Sequence, residues 1–131
     1  MASPVLVLVA DDNAGIRETT AMILRGSGYH VVAAADGEEA MAALTAGAFD
    51  VAVLDVRMPR RDGVAVVEDL DPRPPPPGVV LASAYTFDQE IRQRLGERVC
   101  RYLRKPVRPE DLIDAVGHAA DLARGAAGTG P

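Results

Sequence analysis

Several short apolar runs in this chain end in residues able to do chemistry. Val5–Ala10 ends in Asp11-Asp12, Val51–Leu54 in Asp55, Val79–Ala82 in Ser83, and Val99–Leu103 leads into Lys105-Pro106, while Tyr29–Ala34 ends without a functional group. Carboxylates gathered from separate segments suit a hard divalent cation. Mg2+ accepts one or two of them, keeps several waters and leaves positions for a phosphate oxygen. Two such charges about 4 Å apart repel by about 4 kcal/mol at an effective dielectric of roughly 20, so an acidic cluster with no counter-ion is costly. Each aspartate alone reads better as a cap, Asp11 and Asp12 for the helix that follows and Asp55 for its loop. Their convergence favours the cation.

Lys105 is the most informative single residue. Of the 14 basic residues it is the only lysine, the rest being arginine. A compact ammonium on a flexible stem serves where a point charge must reach a phosphoryl oxygen, and a planar guanidinium does not replace it there. To act on Asp55 it must cross about two inter-strand spacings, roughly 10 Å, which its stem partly spans. The Ser83 hydroxyl can donate to an anionic oxygen built on Asp55, although a serine at a strand end is also a common turn-former. Tyr102 reads as an amphipathic ring half buried at a sheet edge.

Positioning these groups requires strands that end on one edge. The apolar runs are largely continuous rather than alternating, which marks strands covered on both faces, hence a parallel sheet. Helical segments separate them. Asp36-Gly37-Glu38-Glu39 is a capping box that opens a helix over about 37–46, with Gly47 as its stop. The first helix presents Ile16, Thr20, Ile23 and Leu24 on one face and ends at Gly26 or Gly28. The last starts at Pro109 with Glu110 and Asp111 in its first turn, and its inner face is Leu112, Ile113, Val116 and Ala120. Five βα units make a doubly wound α/β fold, a three-layer sandwich around a five-stranded parallel sheet of order 2-1-3-4-5. Right-handed crossovers bring every strand's C-terminal end to one edge, with a crevice between strands 1 and 3.

Length and charge narrow the choices. The chain has 131 residues and a formal charge of −5. It reads as one domain over 4–123, with 124–131 as a flexible tail or the start of a linker, and Asp71–Gly78 (DPRPPPPG) as a stiff connector. An acidic balance disfavours direct nucleic-acid binding. The single cysteine, Cys100, cannot build a disulfide framework, and no signal core or membrane span is legible, so a cytoplasmic setting is expected. His30 and His118 have no partners at metal-ligand spacing.

Acid pair, single aspartate, hydroxyl and lysine, each at the end of its own strand and in that order, resemble the receiver domain of bacterial two-component response regulators, the CheY-like family. Asp55-Val56-Arg57-Met58-Pro59 followed by Asp62-Gly63 looks like the family's phosphoacceptor loop. Ser83-Ala84 looks like its hydroxyl position, Lys105-Pro106 like its lysine with a cis peptide, and Tyr102 falls at its aromatic switch position. The likeness covers about residues 4–123. It implies that Asp55 takes a phosphoryl group from a sensor histidine kinase, a phosphotransfer protein or a small acyl phosphate. It further implies that Mg2+ is held by Asp12, by Asp11 through water, by Asp55 and by the backbone carbonyl of Arg57. Lys105 and Ser83 then contact the phosphoryl oxygens, and Ser83 and Tyr102 switch the face of helix 4, strand 5 and helix 5. The domain is expected to be a phosphoacceptor with at most self-phosphotransfer and slow autodephosphorylation, not an enzyme. It would act on an effector protein or an output domain, with homodimerisation open.

Arg57 and Tyr85, two residues after Asp55 and Ser83, are bulky and flank the approach of a hydrolytic water. They read either as a brake on dephosphorylation or as plain solvated rim residues. Among other classes, a haloacid-dehalogenase-type phosphohydrolase needs an acid two residues after its nucleophile, where this chain has Arg57. A receiver-like interaction module that is not phosphorylated predicts a broken acidic site.

Overall fold

The computed structural model describes residues 4–70, 76–85, 87 and 89–128, with side chains through residue 125. Apolar β-branched runs form five strands: β1 (Leu6–Ala10), β2 (His30–Ala34), β3 (Val51–Asp55), β4 (Gly78–Ser83) and β5 (Val99–Arg104). They pair in parallel in the order β2-β1-β3-β4-β5. β3 and β4 are buried at every position, as their uninterrupted apolar sequences require of central strands.

Five helices cover the sheet: α1 (Ala14–Gly26), α2 (Gly37–Ala46), α3 (Gly63–Asp69), α4 (Gln89–Leu95) and α5 (Pro109–Gly128). Side-chain alternation along the strands divides the core into two. Val7, Val9, Val51 and Val53 meet Leu24 of α1 and Leu112, Ala115, Val116 and Ala119 of α5. Leu8, Ala10, Ala52 and Leu54 meet Ala40 of α2, Val66 and Val67 of α3 and Leu95 of α4. No helix among the described residues is long and apolar enough to cross a membrane.

The local start signals act as their side chains allow. The Asp36 carboxylate accepts the Glu39 N–H at 2.8 Å, and the Glu39 carboxylate accepts the Ala35 N–H at 3.0 Å. Asn13 and Asp62 cap α1 and α3 in the same way, through the N–H groups of Ile16 and Ala65.

Two expectations are corrected. Ile16 is not on the buried face of α1: it is 41% exposed, and the stripe that packs inward is Ala21 and Leu24. Its position in the first turn lies at the rim of a cleft of about 460 Å3 between α1 and α5, which Ile23 and Leu112 also line. The tail expected over 124–131 begins inside α5, which runs on to Gly128 although Gly125 and Gly128 are poor helix formers. The side chain of Arg124 holds that segment down by donating to Asp50 and to the carbonyl of Pro4. Most of the proline-rich connector, residues 71–75, lies outside the described residues.

β5 departs from a regular ladder at Cys100. Val79 pairs with Val99 but Val80 pairs with Arg101, so Cys100 is an extra residue. A one-residue shift exchanges the two faces of a strand. Beyond it Tyr102 sits beside Leu81 on the α4 side, and Leu103 sits beside Ala82 on the α5 side. Lys105 follows with the facing of Leu103.

Candidate functional site

The ladder puts the acidic residues side by side. Val9 pairs with Val53 and Ala10 with Leu54, so Asp11 emerges next to Asp55, both on the face of Val9 and Val53. Asp12 joins them: carboxylate oxygens of Asp11, Asp12 and Asp55 all lie within 4.8 Å of one another. Lys105 reaches in from β5, two strands from β3. Its Nζ donates to Asp11 at 2.7 Å and stands 3.3 Å from Asp55.

Burial singles these residues out. Among the described residues, the buried polar ones are Asp11, Asp55 and Ser83, at 5%, 7% and 4% exposure. Buried charges are tolerated when paired or when they serve a ligand. Three carboxylates against one ammonium leave two negative charges, which a single divalent cation neutralises.

The electrostatics agree. Burial pushes the Asp55 carboxyl above its ordinary value, and the neighbouring Asp11 charge adds to the rise, while Lys105 and the Arg57 backbone amide oppose it. Burial works to lower the Lys105 ammonium, but hydrogen bonding to Asp11 and the charges of Asp55 and Asp11 hold it above its ordinary value. Lys105 therefore stays charged among the carboxylates.

Backbone contacts fix the loops that carry the groups. Asp11 Oδ1 accepts the Asn13 N–H at 2.9 Å, and Arg17 donates to the Asp11 carbonyl at 2.8 Å. The Gly63 N–H donates to the Val56 carbonyl at 2.9 Å. A Cβ on Gly63 would lie 2.5 Å from the Asp55 carbonyl oxygen, so only glycine lets α3 start so close to the backbone of Asp55. The Lys105 N–H donates to the Ser83 carbonyl at 2.7 Å, and the peptide from Lys105 to Pro106 is cis.

The remaining residues lie around this centre. The Ser83 hydroxyl accepts the Tyr85 N–H at 3.1 Å. Tyr102 is packed edge-on against Phe87, with centroids 4.8 Å apart, and under the Arg92 guanidinium at 4.3 Å. Among the described residues its hydroxyl is buried without a hydrogen-bond partner, and burial pushes its pKa above the ordinary value against the opposing charge of Arg92. Arg57 lies over the Tyr85 ring at 4.6 Å, so the two rim residues form one stacked pair. His30 and His118 are exposed and away from the site.

Sequence reasoning overlooked Asn13, Phe87 and Arg92. Asn13 was open to detection as the cap residue next to Asp12. Phe87 and Arg92 carry no local signal, since only the packing of α4 on β5 brings them to Tyr102.

A parallel sheet of order 2-1-3-4-5 with an acidic cluster and a lysine on its C-terminal edge defines a CheY-like doubly wound α/β domain. Comparisons with known proteins narrow this further. Residues 7–117 match the response regulator receiver domain, and the chain belongs to that family. It is 36% identical over 116 residues to the transcriptional regulatory protein PdtaR of Mycobacterium tuberculosis, covering 88% of this chain and 56% of that protein. It is also 36% identical over 117 residues to the positive alginate biosynthesis regulatory protein of Pseudomonas aeruginosa, covering 87% of this chain and 46% of the other. The chain thus spans about half the length of these relatives.

Solved structures agree. A CheY-like receiver domain protein from Methanospirillum hungatei superposes with a TM-score of 0.83 at 27% identity, covering 93% of this chain and 98% of that one. The chemotaxis response regulator CheY4 of Vibrio cholerae gives 0.80 at 28% identity, covering 89% and 99%. The family's role is phosphorylation-dependent signalling, not turnover of a substrate.

Proposed function

We propose that Asp55 is the phosphoacceptor of this domain and that the acidic cluster holds Mg2+. What supports the reading most is that Asp11, Asp55 and Ser83, buried polar residues on three adjacent strands, surround the one lysine of the chain. The donor set fits the ion: hard carboxylate oxygens, close together and carrying more negative charge than Lys105 balances. Asp12 and Asp55 would hold it, with Asp11 and the Arg57 carbonyl as the further protein groups around it. Bound Mg2+ supplies neutralisation of the charge on the phosphoryl oxygens.

The chain's own residues do the rest. An Asp55 carboxylate oxygen attacks phosphorus in line. The bond from phosphorus to a phosphohistidine nitrogen, or to the acyl oxygen of an acyl phosphate, breaks, and the imidazole or carboxylate leaves with the electron pair. Lys105 moves from Asp11 toward a phosphoryl oxygen, and Ser83 donates its hydroxyl hydrogen to another. As Ser83 shifts, space opens beside Tyr102, whose unpartnered hydroxyl gains nothing from its present position. Tyr102 then rotates, and the α4, β5 and α5 face changes shape for an effector or an output domain. The donor partner is a sensor histidine kinase or a phosphotransfer protein, and residues 4–123 form the switching unit.

The test is incubation with acetyl phosphate, with and without Mg2+, followed by intact mass measurement of wild type and Asp55→Asn. One Mg2+-dependent phosphoryl adduct, missing from the variant, is expected. No adduct, or an equal one on the variant, overturns the assignment.

A further inference from the structure

The loop that follows Asp55 is held from outside by α2. Arg60 adopts φ 71°, a left-handed backbone conformation uncommon for a long side chain. Such a conformation persists only where surrounding contacts impose it. Those contacts are present. The Arg61 carbonyl lies against the first residue of α2, so closely that a Cβ on Gly37 would fall 1.8 Å from the Arg61 oxygen and 2.5 Å from its carbon. The Arg61 side chain, mostly covered, reaches Glu38 of α2 at 3.0 Å and Asp69 at the end of α3 at 3.3 Å. Arg60 adds a longer, exposed contact of 3.5 Å to Asp36, the residue that caps α2.

These contacts bear on the acidic cluster through the backbone. Arg57, at the start of the same loop, hydrogen-bonds the Asp55 carboxylate through its amide. Met58 is buried against the core beneath the loop. A displacement of Arg61 therefore has little room to be absorbed before it reaches Arg57.

We infer that Gly37 and Arg61 are positioning residues for the Mg2+ site: they clamp the loop between α2 and α3 so that Asp55 and the Arg57 backbone stand where the ion needs them. This rests on the Mg2+ reading above. Groups that orient a metal's ligands without touching the metal commonly control its affinity. Gly37 acts by having no side chain, and Arg61 by a planar fork that reaches two carboxylates on different helices at once, which a lysine's single ammonium does less well.

The experiment is calorimetric titration of the whole chain with MgCl2, paired with the Mg2+ dependence of acetyl phosphate labelling. Gly37→Ala and Arg61→Ala are expected to weaken Mg2+ binding by about tenfold, with labelling restored by excess Mg2+. Arg61→Lys should recover part of the affinity. Arg60→Gly, which removes a nearby charge but suits the left-handed backbone, should leave the affinity unchanged. Lower melting temperatures with unaltered Mg2+ affinity overturn the proposal, and so does an Arg60→Gly loss equal to that of Arg61→Ala, which would trace the effect to general loosening of the loop, since losing a positive charge alone favours Mg2+. If Gly37→Ala does not fold, Arg61→Ala decides alone. Failure of the wild-type chain to bind Mg2+ would instead refute the Mg2+ reading itself.

Discussion

The Lys105 ammonium is hydrogen-bonded to Asp11 at 2.7 Å, closer than its 3.3 Å approach to Asp55. In this state the lysine serves as a counter-ion for the acidic cluster and competes electrostatically with a divalent cation. Lys105→Met is therefore expected to bind Mg2+ more tightly than wild type while accepting phosphoryl more slowly. A loss of one charge-assisted contact to the transferring group, worth about 1.5–3 kcal/mol, corresponds to a labelling rate lower by about tenfold or more. Lys105→Arg should not restore the rate. Calorimetry and timed mass spectra read the two effects separately, and weaker Mg2+ binding in Lys105→Met contradicts the competition.

The same charge excess sets a thermal expectation. A ligand that binds only the folded state stabilises it by about 1.4 kcal/mol at ten times its dissociation constant. Mg2+ should raise the melting temperature of the wild-type chain. Asp55→Asn removes one of three mutually repelling carboxylates and should melt higher than wild type without Mg2+, yet gain less when the ion is added. A variant that gains as much as wild type places the ion elsewhere.

Much of this was legible from the residues because it is either local or periodic. The cap of α2 needs only Asp36 and Glu39, four residues from end to end, and the parallel sheet needs only the continuous apolar runs. The convergence of Asp11, Asp12, Asp55 and Lys105 follows from topology, since parallel strands must end on one edge. Contacts that depend on register or on packing between helices were not legible. The extra residue at Cys100 decides which way Tyr102 and Lys105 face, and nothing in the run VCRYL marks it. Asp50 meets Arg124 across a separation of 74 residues. Arg57 and Tyr85 were both recognisable as rim residues, but not as a stacked pair.

The Asp50 cluster gives stability a pH dependence on the edge away from the acidic site. Burial works to raise the Asp50 carboxyl, but hydrogen bonds from Arg124 and the Leu6 amide outweigh it and hold the group below 3.8. A depressed carboxyl contributes stability that is present above its unfolded value and lost as pH falls through its folded value. Asp50→Asn should therefore be less stable than wild type near neutrality, by about 1 kcal/mol for a part-exposed charged hydrogen bond. The difference should close in acid, below the folded value. Denaturant midpoints at the two pH values measure it, and a gap that persists in acid assigns the loss to shape instead of charge.

The Tyr102 hydroxyl, without a partner among the described residues, makes a stability test of the proposed switch position. A buried donor without an acceptor costs about 1–3 kcal/mol, and replacing it by an apolar group of the same shape recovers part of that. Tyr102→Phe keeps the edge-on contact with Phe87 and the stacking under Arg92. It is expected to be more stable than wild type by about 1 kcal/mol in urea unfolding of the unphosphorylated chain. A destabilised variant means that the hydroxyl has a partner in solution.

Arg57 over the Tyr85 ring at 4.6 Å spans the loop after Asp55 and the loop after Ser83; with Asp55 as the proposed phosphoacceptor, these are the two sides between which a water would come to attack the aspartyl phosphate. Tyr85 is 60% exposed, so the pair is a flap at the rim, not part of the core. An exposed cation–π contact of this kind is worth about 0.5–1 kcal/mol. If hydrolysis requires the pair to part, removing it should speed loss of the phosphoryl group by about two- to fivefold. Arg57→Asn with Tyr85→Ser is expected to show that increase, and each single change most of it, since either breaks the stack. The measurement is decay of the phosphorylated mass after acetyl phosphate is removed. An unchanged lifetime in the double variant leaves the stack a surface contact with no part in the chemistry.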